Sequence, residues 1–275
     1  MKTTTLIRGG LSFILAMMLA GFVSSEALAQ EATVEEEETI PLNQQGGWIS
    51  DSGVSVTTGD YGTDTDTTIT ELYETIKYRA SKGELGVTIP YLFRNGNSTT
   101  VGESRPVQGG IPDEADGIGD IQLKGKYYWL TETGAQPSVD LMGRIKIPTA
   151  SEDDGLGTGH VDVGFGPEFT KLFGSLITFI NLELVLRDKP DGSSIKSTRL
   201  DYALGMGYPL TEQFTGYLSL EGGTPIESGS DAPLEAVMSG VYKLTPSTGL
   251  NGYALVGLSD GSPDYGGGVS ITFRF

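Results

Sequence analysis

The 275-residue sequence contains no cysteine and a single histidine. The first absence excludes disulfides, thiol chemistry and cysteine-based metal sites, and the fold needs no cross-link even where the compartment would allow one. The second leaves His160 as the one imidazole. Basic side chains are scarce too: 18 Lys+Arg stand against 36 Asp+Glu, a net charge of -18. Nucleic acid is therefore not an expected partner. No run of the sequence reaches the ~20 apolar residues that a membrane-crossing helix needs. If the mature chain crosses a bilayer, it must do so as a closed sheet, because in hydrocarbon only helices and closed barrels satisfy every backbone polar group.

What is present points to that sheet. Lys2 and Arg8 precede an apolar stretch from Leu11 to Val23, and Ala27, Leu28 and Ala29 supply the small-x-small pattern of a secretory signal peptide. Residues 1–29 are read as that signal, cleaved after Ala29. The removed segment carries Lys2, Arg8 and Glu26, a net of +1, so its loss takes the net charge from -18 to -19. Residues 30–47, with Glu35 to Glu38, read as an acidic periplasmic arm that repels itself and has little to bury. Residues 48–275 form one unit, a length that barrels commonly reach as a single domain.

The last eleven residues carry the clearest pattern. Tyr265, Val269, Ile271, Phe273 and Phe275 share one parity, with Ser270, Thr272 and Arg274 on the other, and in a strand the two parities point to opposite faces. A terminal aromatic residue after such a strand resembles the assembly signal of bacterial outer-membrane barrels, so Phe275 is expected to meet the barrel-assembly machinery of a Gram-negative cell. From Trp48 onward about twelve such runs recur, each near the ~10 residues of a tilted spanning strand. They begin at Trp48, Thr68, Glu84, Gly117, Ser138, His160, Leu176, Lys196, Phe214, Leu234, Leu250 and Tyr265. The fold class is thus all-β: a transmembrane antiparallel up-and-down β-barrel of about 12 strands.

Loop lengths alternate as that orientation demands. The connections at Ser81 to Gly83, Thr131 to Gly134, Phe173 to Ser175, Thr211 to Glu212 and Pro246 to Gly249 are short. The alternate ones, Asp60 to Asp66, Asn95 to Asp116, Ser151 to Gly159, Asp188 to Ser194, Thr224 to Pro233 and Asp260 to Asp264, are generally longer and acidic. The short set is expected to face the periplasm and the long set the outside.

Within the runs, Ile121, Leu123, Tyr127 and Trp129 oppose Asp120, Gln122, Lys124 and Lys126, and Ile180, Leu182, Leu184 and Leu186 oppose Asn181, Glu183 and Arg187. Two places fit poorly. Glu74 shares the lipid face with Leu72, Ile76 and Tyr78, and the run from Leu250 to Leu258 chooses no face clearly.

The wet face carries both signs. Lys77, Arg79, Arg94, Lys124, Lys126, Arg144, Lys146, Arg187, Arg199, Lys243 and Arg274 stand against Glu71, Asp120, Asp140, Asp162, Glu168, Glu183, Asp201, Glu221 and Glu235. Such a set either braces the wall through salt bridges, because buried charges need partners, or forms a constriction that filters permeants. Lys124, Lys126, Arg144, Lys146, Glu168, Glu183, Arg187 and Arg199 are the lumen candidates.

Signals for covalent chemistry are weak. Outer-membrane phospholipases have about this strand number, but Asp162 stands where their His-x-Ser pairing would place a nucleophile after His160. Asp60, Asp64, Asp66 and Glu71 imitate part of a calcium loop, yet Gly62 and Thr65 occupy positions that need a ligand and a glycine. No catalytic residue, metal site or cofactor is expected.

Several segments resemble the outer-membrane transporters of the meta-pathway of phenol degradation family. The residues are Gly117 Ile118 Gly119 Asp120 Ile121 Gln122 Leu123 Lys124 Gly125 Lys126 Tyr127, with Val87 to Leu92, Gly59 to Thr67, Ile147 Pro148 Thr149 and Gly155 to Asp162. The resemblance implies an outer-membrane channel or transporter for small molecules, hydrophobic or aromatic ones among them, in contact with membrane lipid and lipopolysaccharide. The other reading is a structural or adhesion-type barrel whose acidic loops organise lipopolysaccharide.

Overall fold

The computed structural model describes residues 46–61, 65–96, 98–101, 105–108, 112–188 and 195–275. The expected signal peptide, and the arm up to Gln45, lie outside the described residues. The chain forms β1 (Gly47–Gly59), β2 (Thr67–Ala80), β3 (Gly83–Asn95), β4 (Ser98–Val101), β5 (Arg105–Gln108), β6 (Glu114–Ile118), β7 (Ile121–Leu130) and β8 (Ser138–Ile147). It continues with β9 (Asp162–Phe173), β10 (Leu176–Arg187), β11 (Thr198–Pro209), β12 (Phe214–Gly223), β13 (Leu234–Thr245), β14 (Thr248–Gly257) and β15 (Tyr265–Arg274).

Apart from β4 and β5, which form their own two-stranded sheet, strands that follow one another along the barrel pair antiparallel, and β1 pairs with β15 from Ile49↔Arg274 to Thr58↔Tyr265 to close it. β6 and β7 both pair with β3, at Tyr91 to Asn95 and at Gly83 to Thr88 respectively. They are one spanning strand interrupted at Gly119 and Asp120, so the barrel has 12 strands. The segment expected as a plain loop from Asn95 to Asp116 instead carries the β4–β5 hairpin and the start of β6. The two ends of the described chain meet, with the Phe275 amide donating to the Trp48 carbonyl at 2.9 Å.

The period-two pattern separates the faces. Leu123, Tyr127, Leu141, Ile145, Leu182, Leu184, Leu204, Met206, Leu218 and Val269 are exposed on the outside, where hydrocarbon takes the place of water. Aromatic rings collect at both rims. Trp48 and Tyr78, with centroids 5.2 Å apart, join Trp129, Tyr208 and Phe273 at the end with the termini. Tyr91, Phe93 and Tyr265 stand at the other. Such girdles mark the two interfaces of a membrane barrel. Replacing Leu204, midway along β11 and paired with Ile180 and Leu220, by Arg is expected to cost about 2–4 kcal/mol of unfolding free energy, against about 0–1 for Leu244→Arg near the rim. Reversible urea unfolding in lipid vesicles measures both.

Glu74 does face outward. Its carboxylate accepts hydrogen bonds from the hydroxyls of Ser50, at 2.8 Å, and Ser52 on the adjoining β1, so neighbouring side chains meet its polarity without a bulge. The run of unclear facing is settled by its neighbours: Asn251, Tyr253 and Leu255 point inward, while Leu250, Ala254 and Val256 point to lipid. At the closing seam Asp51 is completely buried, and its Oδ1 accepts from Ser270 Oγ at 3.1 Å, from Asn251 Nδ2 at 3.4 Å and from the Thr272 hydroxyl.

Candidate functional site

The barrel interior gathers the charged residues of β2, β3 and β7 to β13. Lys126, Arg144, Lys146, Glu168, Glu183, Arg187 and Arg199 are all buried inside, and Lys124 is half-buried on the same face. Two of them find their partners two strands away rather than next door. Lys126 on β7 reaches across β8 to Glu168 on β9 at 3.2 Å. Arg144 on β8 reaches across β9 to Glu183 on β10, its Nε and Nη2 donating to the two carboxylate oxygens at 3.2 and 2.9 Å. The crossing point is Gly164, where an added Cβ would sit 1.8 Å from Glu183 Oε1. A second chain of contacts runs round the outer end. Lys146 Nζ meets Asp120 at 2.9 Å and Asp162 at 3.5 Å, and Arg187 Nε approaches Asp162 at 3.8 Å. Arg199 pairs with Asp201, and Arg79 with Glu84 at 3.1 Å. Lys126–Glu168 and Arg144–Glu183 are the diagonal braces, and two-point guanidinium–carboxylate contact adds direction to the attraction. Lys146 is 2 % exposed. Side chains fill this part of the lumen.

Farther round the barrel, apolar side chains join the charged ones, beside buried Glu221 on β12 and Glu235 on β13. From β10 to β14 the inward face carries Ile177, Phe179, Tyr217, Val237, Val241, Tyr253 and Leu255, all buried, and Val237, Tyr253 and Leu255 form one apolar cluster. Rings pack close against inward glycines of adjoining strands: Phe179 on Gly205, Tyr217 on Gly207 and Tyr253 on Gly268, each leaving less than 3.0 Å for a Cβ. Charge patterning did not single these residues out. The signal in the sequence is a glycine placed opposite an aromatic residue across a strand pair, which becomes readable only once the register is known.

The outer mouth is partly closed by the connection 148–161, which folds inward. Leu156, 2 % exposed, packs on Ile69 of β2 and Leu92 of β3, with Ala115 and Ala150 alongside. Gly117 makes room for it, because a Cβ there would stand 3.1 Å from Leu156 Cδ1. Asp120 holds the entry of the loop: its Oδ1 accepts from the Ala150 amide at 3.0 Å while its Oδ2 takes Lys146. Thr149 Oγ1 donates to the Gly119 carbonyl at 2.7 Å and accepts from the Ile121 amide at 2.9 Å. Arg94 Nη2 donates to the carbonyls of Pro112 at 2.7 Å and Asp154 at 2.9 Å. Lys146 Nζ also donates to Thr158 Oγ1 at 3.0 Å. Gly155 and Gly159 take φ of +66° and +68°, values that side chains other than glycine's rarely adopt. Gly157 packs where a Cβ would meet Ala150 and the Asp120 carboxylate. The two Gly-x-Gly stretches of the sequence are thus the two halves of one docked mouth.

His160 sits at the rim, half-buried, and its Nδ1 lies 3.1 Å from Asp188 Oδ2. Among the described residues no group of three His, Cys, Asp or Glu side chains could hold a metal ion. Glu71, the twelfth position of the rejected calcium loop, is buried on the inner face of β2.

The model of the family described as "Putative MetA-pathway of phenol degradation" matches residues 46–275. A search of curated proteins found no sequence match. Among solved structures, an outer membrane channel from Pseudomonas putida F1 is similar at 13% identity and a TM-score of 0.64, over 87% of this chain and 100% of that one. The NanC porin is similar at 11% identity and a TM-score of 0.52, covering 82% and 100%. The translocator domain of the autotransporter NalP from Neisseria meningitidis is similar at 10% identity and a TM-score of 0.50, covering 83% and 88%. At these identities the likeness is one of fold.

Proposed function

The chain belongs to the MetA-pathway phenol degradation family and is an outer-membrane β-barrel, and from that premise we propose that it is a channel for small uncharged molecules carrying an apolar or aromatic ring. The observation that carries this reading is the mixed lining of the lumen. Toward β7 to β9 the inner face is a mesh of paired charges, and from β10 to β14 Phe179, Tyr217, Val237, Tyr253 and Leu255 join it beside Glu221 and Glu235. A ring with one polar substituent can lie along these apolar side chains and turn its polar atom toward the braces, as small-molecule sites generally combine apolar lining with a few placed polar groups.

Charge distribution supports the same class. On the inner face, acidic and basic side chains nearly balance, so the excess negative charge sits in the loops and the arm. Anions therefore meet a repulsive rim, and ions of either sign gain little from a lumen whose charges already hold one another. The likeness to an outer membrane channel and the family's description in terms of phenol degradation agree with this reading. Lys124, Lys126, Arg144 and Glu168 then act chiefly to hold the wall. Phe275, 79 % exposed at the terminus, is the side chain offered to the assembly machinery, and the acidic loops face lipopolysaccharide.

Uptake of radiolabelled phenol by cells producing the barrel in an outer membrane depleted of other porins tests the channel. The parent protein is expected to raise uptake of phenol well above that of benzoate. Tyr253→Lys, which puts a charge among these apolar side chains, is expected to cut phenol uptake roughly tenfold. Uptake equal to that of cells without the barrel overturns the reading and favours the structural role.

A further inference from the structure

We propose that Leu156 is a built-in occupant of a recognition seat at the outer mouth, and that a small neutral ring compound enters the barrel by displacing it. The proposal rests on the channel reading above and adds where the permeant is first held and how the mouth opens.

The seat is made by the wall, not by the loop. Ile69 and Leu92 project from β2 and β3 into the outer end of the lumen, Ala115 stands beside them on β6, and Gly117 keeps the space above empty of any side chain. These strands hold their positions through the barrel ladder whether or not the loop is seated. The loop adds one leucyl side chain that fills the hollow. An apolar recess inside a charged mouth, shaped for a branched hydrocarbon, suits a compact uncharged ring better than a sugar or an ion, because a polar group placed there would lose its hydration without gaining a partner.

The loop's other attachments allow exchange. Arg94 binds it through the Asp154 carbonyl and Lys146 through the Thr158 hydroxyl, each by one hydrogen bond that water can replace. Its entry is fixed separately by Asp120 on the Ala150 amide and by Thr149 on the β6–β7 break. Gly155, Gly157 and Gly159 bracket Leu156. The segment is therefore pinned at its base and held at its tip mainly by one apolar contact. A ligand that binds only the vacated seat shifts the balance toward the open loop, since it has affinity for one state and none for the other.

The absence of cysteine makes the test clean. Thr158→Cys places a single thiol beside Leu156 at a site that is buried in the closed mouth, and Asp153→Cys, exposed on the same loop, reports reagent access alone. With a membrane-impermeant maleimide added from outside, Thr158→Cys is expected to react at least roughly tenfold more slowly than Asp153→Cys. Phenol, as the probe, is expected to accelerate labelling at Thr158→Cys in a saturable way and leave Asp153→Cys unchanged, while glycerol does neither. Adding Leu156→Ala should make Thr158→Cys react fast without phenol. Labelling of Thr158→Cys that ignores phenol overturns the proposal, as does slow labelling in the Leu156→Ala background. The phenol response of the single variant decides alone if the double variant fails to assemble. Phenol uptake with unchanged labelling retires the seat and keeps the channel. Phenol-dependent labelling without uptake retires the channel and keeps the seat.

Discussion

Glu183→Ala is expected to lower the free energy of unfolding by about 3–5 kcal/mol, the range found when one member of a buried ion pair is removed. The partner left behind is Arg144, whose guanidinium spends two hydrogen bonds on that carboxylate and is itself buried. The site has no easy way to relax. Gly164 under the pair offers no side chain, Asp162 is already shared by Lys146 and Arg187, and Asp201, across from Glu183 on β11, already holds Arg199. Replacing both partners by leucine should cost much less, because no uncompensated charge then remains. Urea unfolding of the parent, the single variant and the double variant in lipid vesicles measures this. A loss for Glu183→Ala below about 1 kcal/mol, the level of an exposed surface pair, would show that water reaches the pair and that the lumen is open at that depth.

Lys146→Met is expected to be equally severe, about 3–5 kcal/mol, for a different reason. The methionine keeps the length and removes the charge that separates two carboxylates, Asp120 at 2.9 Å and Asp162 at 3.5 Å. Like charges so placed repel strongly in a site with little water. The sign of the effect can be checked internally: Asp120→Asn added to Lys146→Met should recover part of the loss, whereas Asp120→Asn alone should be destabilising. The substitution also frees Thr158 of its donor, so maleimide labelling of the Thr158→Cys reporter should rise in the Lys146→Met background. Vesicle unfolding gives the first quantity and the labelling rate gives the second.

Strand positions were legible because a spanning strand must repeat its two faces every second residue over about 10 positions, and that constraint is written in each run separately. Ile180, Leu182, Leu184 and Leu186 on one side, with Asn181, Glu183 and Arg187 on the other, carry their orientation without help from any partner. The run from Leu250 to Leu258 lacked this property, since Tyr253 and Leu255 are as apolar as Leu250 and Val256. Its facing is decided by Asn251, which belongs with Ser270 and Thr272 on the neighbouring strand.

The inward charges were legible as a set but not as pairs. Lys126 and Glu168 are 42 positions apart, and Arg144 and Glu183 are 39. Contacts that leap over an intervening strand depend on barrel tilt and on a glycine such as Gly164, neither of which a single run reveals. The mouth was less legible still. Neither Gly117 to Asp120 nor Gly155 to Gly159 explains itself alone, and only their meeting shows why each is glycine-rich: one clears the space that the other fills.

The buried carboxylate at the closing seam has a consequence for biogenesis. Asp51 belongs to β1 and its hydroxyl and amide partners to β14 and β15, so its hydrogen bonds form only when the barrel closes. A slip of the terminal hairpin by two residues would preserve the inside and outside of every side chain, and parity alone would not detect it. Slipped one way, it would bring Ser270 opposite Asp51 in place of Thr272 and break up the trio of donors. The three donors around one aspartate thereby favour the observed stagger over a neighbour that hydrophobicity alone would tolerate.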